Sequence, residues 1–147
     1  MNSKDPLLQP YTLKQLNLKN RVFSACHEPF LTEDSMPKEK YCLYHEEKAK
    51  GGIGMSMIGG SAVVSQDSPG SFGNLNLSDD SVIPWLQKLA DRMHAYECAV
   101  VTQITHMGRR SSWAQGDWLP LIWSSCQREM AHRRFPKIAE TEDIARV

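Results

Sequence analysis

Apolar and polar positions along the chain change period several times, and each change marks an element. Tyr11-Thr12-Leu13 and Leu16-Asn17-Leu18 alternate with period two on either side of Lys14-Gln15, which predicts a small hairpin or cap. Arg21-Val22-Phe23-Ser24-Ala25 reads as the first buried strand and opens into the polar group Cys26-His27-Glu28-Pro29, where the proline stops further pairing. A helix is predicted from Pro37, whose missing N–H costs little in a first turn. Tyr41, Tyr44, Glu47 or Lys48, and Ala49 recur at helical spacing, and Gly51-Gly52 provides the stop. Ile53 to Ile58 predicts a second strand, with Gly59-Gly60-Ser61 at its end allowing the backbone to come close to something flat or bulky.

Beyond a Ser, Pro, Gly and Asn loop over residues 67–76, Asp79 and Asp80 precede a second helix that carries Pro84 in its first turn. Its stripe of Val82, Leu86, Leu89, Ala90, Met93 and Tyr96 needs a core to face. Ala99 to Ile104, rich in β-branched residues, predicts a third strand. Residues 105–139 read as one long loop holding Trp113, Trp118, Trp123 and His132, and such length points to a lid or wall. Thr141, Glu142 and Asp143 read as the opening turn of a third helix. Strands alternating with helices predict an α/β fold with a parallel sheet, either doubly wound or a barrel. No Gly-x-Gly-x-x-Gly follows a strand, which counts against a dinucleotide-binding fold. A complete barrel of eight such units needs ~250 residues or more, so these 147 residues supply about three of them.

Composition narrows the partners. Lys+Arg and Asp+Glu balance at 17 each, so no overall field draws nucleic acid or an anionic membrane, and neither is expected as a partner. No apolar run approaches the ~20 residues of a membrane span, and the N-terminus lacks the apolar core of a signal peptide, which predicts a soluble, cytoplasmic chain. Cys26, Cys42, Cys98 and Cys126 form no Cys-x-x-Cys pair, so no metal site is expected from this chain, and Cys42 and Cys98 read as small apolar fillers. The chemistry is concentrated instead at Thr102-Gln103-Ile104-Thr105-His106-Met107-Gly108-Arg109-Arg110, where an apolar strand turns abruptly polar. In α/β folds ligands collect at the C-terminal ends of parallel strands, which makes this amide, histidine and arginine pair candidates for a site.

Those residues, with Leu16-Asn17-Leu18-Lys19-Asn20-Arg21-Val22, Tyr44-His45-Glu46-Glu47-Lys48-Ala49 and Gly59-Gly60, make the chain resemble the old yellow enzyme-like NADH:flavin oxidoreductases over essentially its whole length. Within that family it looks most like the branch of dienoyl-CoA reductase, trimethylamine dehydrogenase and N-methylproline demethylase. Ala25-Cys26-His27-Glu28-Pro29, Met36-Pro37-Lys38-Glu39 and Gly116-Asp117-Trp118-Leu119-Pro120 particularly match the demethylases. The resemblance implies the N-terminal portion of a TIM (β/α)8 barrel, about three βα units after a short hairpin, with residues 1–147 forming one incomplete FMN-binding domain.

It also implies roles. Cys26, His27 and Glu28 would lie beside FMN after the first strand, Gly60 would give backbone contact after the second, and Gln103 would bond the flavin pyrimidine edge, whose mixed donors and acceptors a carboxamide matches. His106 and Glu28 are the catalytic candidates, and Arg109, Trp113 and Trp118 the substrate candidates. A carboxylate and aromatic faces beside a flavin favour a cationic, N-methylated substrate, so oxidative N-demethylation of an N-methylated amino acid or betaine is the expected reaction, with hydride transfer to FMN. Glu28 stands where trimethylamine dehydrogenase has its flavin-linking cysteine, so no covalent flavin of that type is expected.

The family's phosphate site and proton-donating tyrosine come from later strands, and its larger members add an iron–sulfur cluster, FAD and NAD(P)H sites; none of these is expected within this chain. The chain alone is therefore expected to be inactive, with a small-molecule substrate reached only once a complementing chain or a second copy completes it. The alternatives are an enoate or dienoyl reductase of the same family, a non-catalytic remnant acting only by association, and an amidohydrolase-like metal barrel using His27 and His106, which no paired His-x-His signature supports.

Overall fold

The computed structural model describes residues 4–68, 73–110, 121–122 and 135–147. β1 (Tyr11–Leu13) and β2 (Leu16–Leu18) form the expected antiparallel hairpin. A parallel sheet follows, in the order β3 (Phe23–Ser24), β4 (Met55–Val63), β5 (Ala99–Thr105). Helices α1 (Glu39–Lys50) and α2 (Ile83–His94) connect its strands, so the predicted alternation is present.

Helix α1 starts two residues later than Pro37, because Lys38 is the extended N-cap residue and its carbonyl accepts the first helical bond, from Cys42 N at 3.0 Å. α2 carries Pro84 in its first turn as expected, entered through a 3₁₀ turn at Asp80–Val82 whose cap is Asp79. The helices are cross-linked by Glu39 to Lys88 at 2.8 Å, Glu39 to Arg92 at 2.7 Å and Glu46 to Arg92 at 3.2 Å. These exposed or half-exposed pairs fix register more than they stabilise.

The core lies between the helices and one face of the sheet. Tyr41, Cys42 and Ala49 of α1, Leu89 and Met93 of α2, Ile58 and Ala62 of β4, Leu75 and Cys98 form one buried cluster. Ser24 and Ser56 face α1, where they bond Lys48 and His45. Because strand side chains alternate, Phe23, Met55, Met57, Val101 and Gln103 share the opposite face. Among the described residues no helix covers that face, and Phe23 is 56% exposed.

Three expectations change. The first strand is shorter than residues 21–25: only Phe23 and Ser24 pair with Met55 and Ser56, and the chain then leaves the ladder. The second strand is longer than residues 53–58. It continues through the glycines to Val63 by a bulge, with Ile58 opposite Thr102 but Ala62 opposite Ile104, so three residues of β4 face one of β5. The long stretch after β5 is not one featureless loop: it contains a 3₁₀ turn at Gly108–Arg110 and two short parallel strands, β6 (Leu121–Ile122) and β7 (Lys137–Ile138). The third helix forms as α3 (Thr141–Arg146), entered through Glu140, whose N–H donates to Asp143 Oδ2 at 3.0 Å.

Candidate functional site

The C-terminal ends of β3, β4 and β5 converge through the two glycines of the bulge. Gly60 has φ +46°, and a Cβ there would lie 2.5 Å from Glu28 N and 2.6 Å from the His27 carbonyl carbon. Gly59 has φ +97°, and a Cβ there would lie 2.9 Å from Gln103 O. Both positions therefore need glycine twice over, for a left-handed backbone and for lack of room. The close approach brings His27, Glu28, Gly60 and Gln103 into one neighbourhood, four of the residues singled out from the sequence. Helix α1 holds the bulge from behind: Gly59 N–H donates to the Tyr41 hydroxyl at 3.1 Å, and Tyr41 is fully buried, which raises its phenol pKa.

Glu28 is partly buried at this junction. Its Oε1 accepts from Phe30 N at 3.2 Å, whereas Oε2 is buried with no partner. Burial raises its pKa above the usual 4.5, against the opposing pull of the Phe30 amide. His27 is exposed, and its Nε2 shares a 2.7 Å hydrogen bond with the hydroxyl of Tyr44. Cys26 is half-buried and unpaired. Gln103 is exposed on β5, and its amide bonds no other described residue.

Behind Tyr44, His45 is buried, with Nδ1 3.2 Å from Ser56 Oγ and Nε2 unpartnered. Burial, with Lys48 and His27 nearby, holds its pKa down to about 3, so it is neutral at ordinary pH.

His106 lies within an interloop clamp. Its Nδ1 accepts from Gly108 N at 3.0 Å, which leaves the ring proton on Nε2, 3.3 Å from Asp67 Oδ1. Asp67 also takes Arg146 Nη2 at 2.7 Å and the Ser65 hydroxyl, and Met107 N donates to Ser68 Oγ at 2.6 Å. Burial opposes ionisation of Asp67, but bonds from Arg146, Ser65 and His106 outweigh it and hold the carboxyl well below the usual range. Arg109 is exposed in the following 3₁₀ turn. Trp113 and Trp118 lie outside the described residues. Tyr41, Tyr44 and Asp67 are additions of the structure: on a helix, tyrosines at core spacing carry no separate sequence signal, and Asp67 reads as one polar loop residue among many.

The whole arrangement of hairpin, parallel strands and strand-end residues has counterparts. Residues 6–144 match the model of the NADH:flavin oxidoreductase / NADH oxidase family. The chain belongs to this family. It is 52% identical over 145 residues to a multifunctional alkene reductase/demethylase of Caballeronia cordobensis, covering 99% of this chain and 22% of that protein. It is 50% identical over 143 residues to a probable N-methylproline demethylase of Rhizobium meliloti (strain 1021), covering 97% of this chain and 21% of that protein. A third relative, an N,N-dimethylglycine/sarcosine dehydrogenase of Chromohalobacter salexigens, is 45% identical over 145 residues, covering 97% of this chain and 21% of that protein. The chain thus spans about a fifth of the length of these curated relatives.

Among solved structures, morphinone reductase in complex with tetrahydroNAD superposes with a TM-score of 0.82 at 22% identity, over 96% of this chain and 42% of that one. A complex of 2-naphthoyl-CoA reductase gives 0.79 at 22% identity, over 95% and 23% respectively. The fold is therefore part of the TIM barrel of the old yellow enzymes, and the uncovered face carrying Phe23, Met55 and Val101 is the one that a closed barrel turns inward. Members of the family are FMN-dependent oxidoreductases. The residues at the strand ends fit one side of such a group: an exposed carboxamide that bonds no other described residue, a bulge that needs glycine, and a buried carboxylate oxygen without a donor. Among the described residues no group of His, Cys, Asp and Glu is placed to hold a metal ion, and no helix is long and apolar enough to cross a membrane.

Proposed function

We propose that this chain forms one wall of the FMN site of an oxidoreductase that oxidatively demethylates an N-methylated amino acid or betaine. FMN, when bound, accepts a hydride from the substrate. In this reading Gln103 bonds the flavin edge, while His27, Glu28 and Gly60 border it with Cys26 beside them. One observation carries the substrate class: the Glu28 oxygen that is buried without a donor. An unpaired buried acceptor is costly, and a cationic N–H or N-methyl ammonium removes that cost. For an N-methyl amino acid whose nitrogen carries a proton, a carboxyl whose pKa is raised by burial is also matched to take that ammonium proton at Oε2, freeing the nitrogen lone pair before the N-methyl carbon loses hydride; a quaternary betaine has no such proton and would only be bound by the carboxylate.

His106, turned into Asp67 and Gly108, acts here by fixing the loop after β5 rather than by meeting substrate. Arg109, Trp113 and Trp118 complete the substrate side, the tryptophans as cation-binding faces. NAD(P)H is the reductant of the flavin in the alkene-reducing reading below. A complementing chain or second copy supplies the phosphate site and proton donor if this chain acts without further sequence.

The name of the Caballeronia relative favours a second reading, alkene reduction at the same flavin. An anaerobic assay of the flavin-loaded protein separates them. N-methylproline or another tertiary N-methyl amino acid should bleach the flavin and release formaldehyde, and Glu28→Gln should raise KM at least tenfold. Bleaching by NADH with turnover of an enone, and none by any methylated amine, would leave alkene reduction as the function.

A further inference from the structure

We infer that Tyr44 is a positioning residue that turns His27 into a hydrogen-bond donor at Nδ1. This rests on the reading that a ligand lies beside His27, Gly60 and Gln103. The Tyr44 hydroxyl and His27 Nε2 are 2.7 Å apart, and the two rings meet edge-on with centroids 5.9 Å apart. One of the two atoms must donate, and the surroundings decide which. The Lys48 ammonium stands 4.2 Å from the centre of the Tyr44 ring, and the same nitrogen is tied to Ser24 Oγ at 3.0 Å, so the cation is held in place by β3.

A cation on the ring face draws electron density from the phenol and makes its hydroxyl the better donor. A neutral imidazole that accepts at Nε2 carries its proton on Nδ1. His45, the other group against Tyr44, has its ring centre 5.1 Å from that of Tyr44 and is neutral, so it supplies no competing charge.

With Nε2 occupied by Tyr44, only Nδ1–H remains for a bound molecule. The class of group that fits is an acceptor, a flavin carbonyl or a substrate carboxylate, and a donor at that place is refused. Helix α1 thus sets the polarity of the site from outside it, through a residue that need not touch the ligand.

Histidine-selective ¹⁵N NMR on the full chain tests this, with the His27 signal assigned by its loss in His27→Gln. At a pH where the ring is neutral, the wild-type protein should show Nδ1 protonated and Nε2 bare. Tyr44→Phe, which removes only the hydroxyl of a half-buried side chain, should shift the tautomer ratio toward Nε2–H by about fivefold, the effect of one ordinary hydrogen bond. A wild-type ring protonated at Nε2 overturns the proposal even if the variant does not fold, and so does a folded Tyr44→Phe protein with an unchanged ratio. The flavin absorbance of the loaded protein is read alongside. A tautomer shift with an unchanged flavin band upholds the Tyr44 pairing and instead refutes the placement of flavin beside His27.

Discussion

One missing methyl group decides whether the three strand ends can meet. At Gly60 an added Cβ would sit 2.5 Å from Glu28 N, on a backbone with φ +46°. Gly60→Ala should therefore cost about 3 kcal/mol, combining left-handed strain with displacement of backbone that cannot swing aside. Its melting temperature should fall by several degrees more than that of Gly52→Ala, where nothing lies within 4 Å although φ is also positive, at +95°.

Glu28 makes a prediction of opposite sign. Its folded pKa lies above its ordinary 4.5, so the cost of ionising it in place is absent below pH 4.5 and is added as pH rises through the folded value. Glu28→Gln should then melt higher than wild type at pH 7 and not at pH 4, provided no ligand is bound. Equal shifts at both pH values would show that the carboxyl is not desolvated. The residues of this junction were legible in the sequence because strand-end chemistry and the family motif coincide at Cys26, His27, Glu28, Gly60 and Gln103. Tyr41 and Tyr44 were not, because a tyrosine that caps a bulge and one that fills a core have the same helical spacing.

At the scale of elements, α1 does most of the organising. Three of its side chains reach the sheet, Tyr41 to Gly59, His45 to Ser56 and Lys48 to Ser24, and a fourth, Tyr44, reaches His27 just beyond β3. His45 makes this helix acid-sensitive. Its folded pKa of about 3 lies below the usual 6.5, so the stability from burying it neutral is present above pH 6.5 and is lost progressively as pH falls toward 3. Wild-type protein should lose on the order of 2–4 kcal/mol of stability through this group across that range. His45→Gln should lose distinctly less between pH 7 and pH 5 by thermal melts. A parallel fall in both proteins would place the sensitivity elsewhere.

The element order was readable from periodicity, but the ends were not. Gly59-Gly60 reads as the end of a strand when only local signals are available, whereas pairing of Ala62 and Val63 with Ile104 and Thr105 carries β4 through a bulge. The brevity of β3 has a similar origin, since the close approach of residues 27–28 to Gly60 pulls the chain out of the ladder.

At the scale of the whole molecule the sheet is half dressed. α1 and α2 bury one face, and the other leaves Phe23 at 56% and Val101 at 38% exposure, with Leu13 at 44% beside them on the hairpin. Apolar surface and free strand edges of this kind drive association. Expressed by itself, the 147-residue chain should self-associate, and sedimentation velocity should show species larger than the 16.7 kDa monomer. A clean monomer would mean that the inward face is covered in some other way.

If the ends of β3, β4 and β5 form one wall of an FMN site, a titration of apoprotein with FMN, wild type beside Gln103→Leu, shows it most directly. FMN should bind, and the substitution, which keeps volume but removes both amide hydrogen bonds, should weaken Kd about tenfold or more while the melting temperature of the unliganded protein barely changes. An FMN affinity unaltered by Gln103→Leu, or no FMN binding by the wild-type protein, would contradict it.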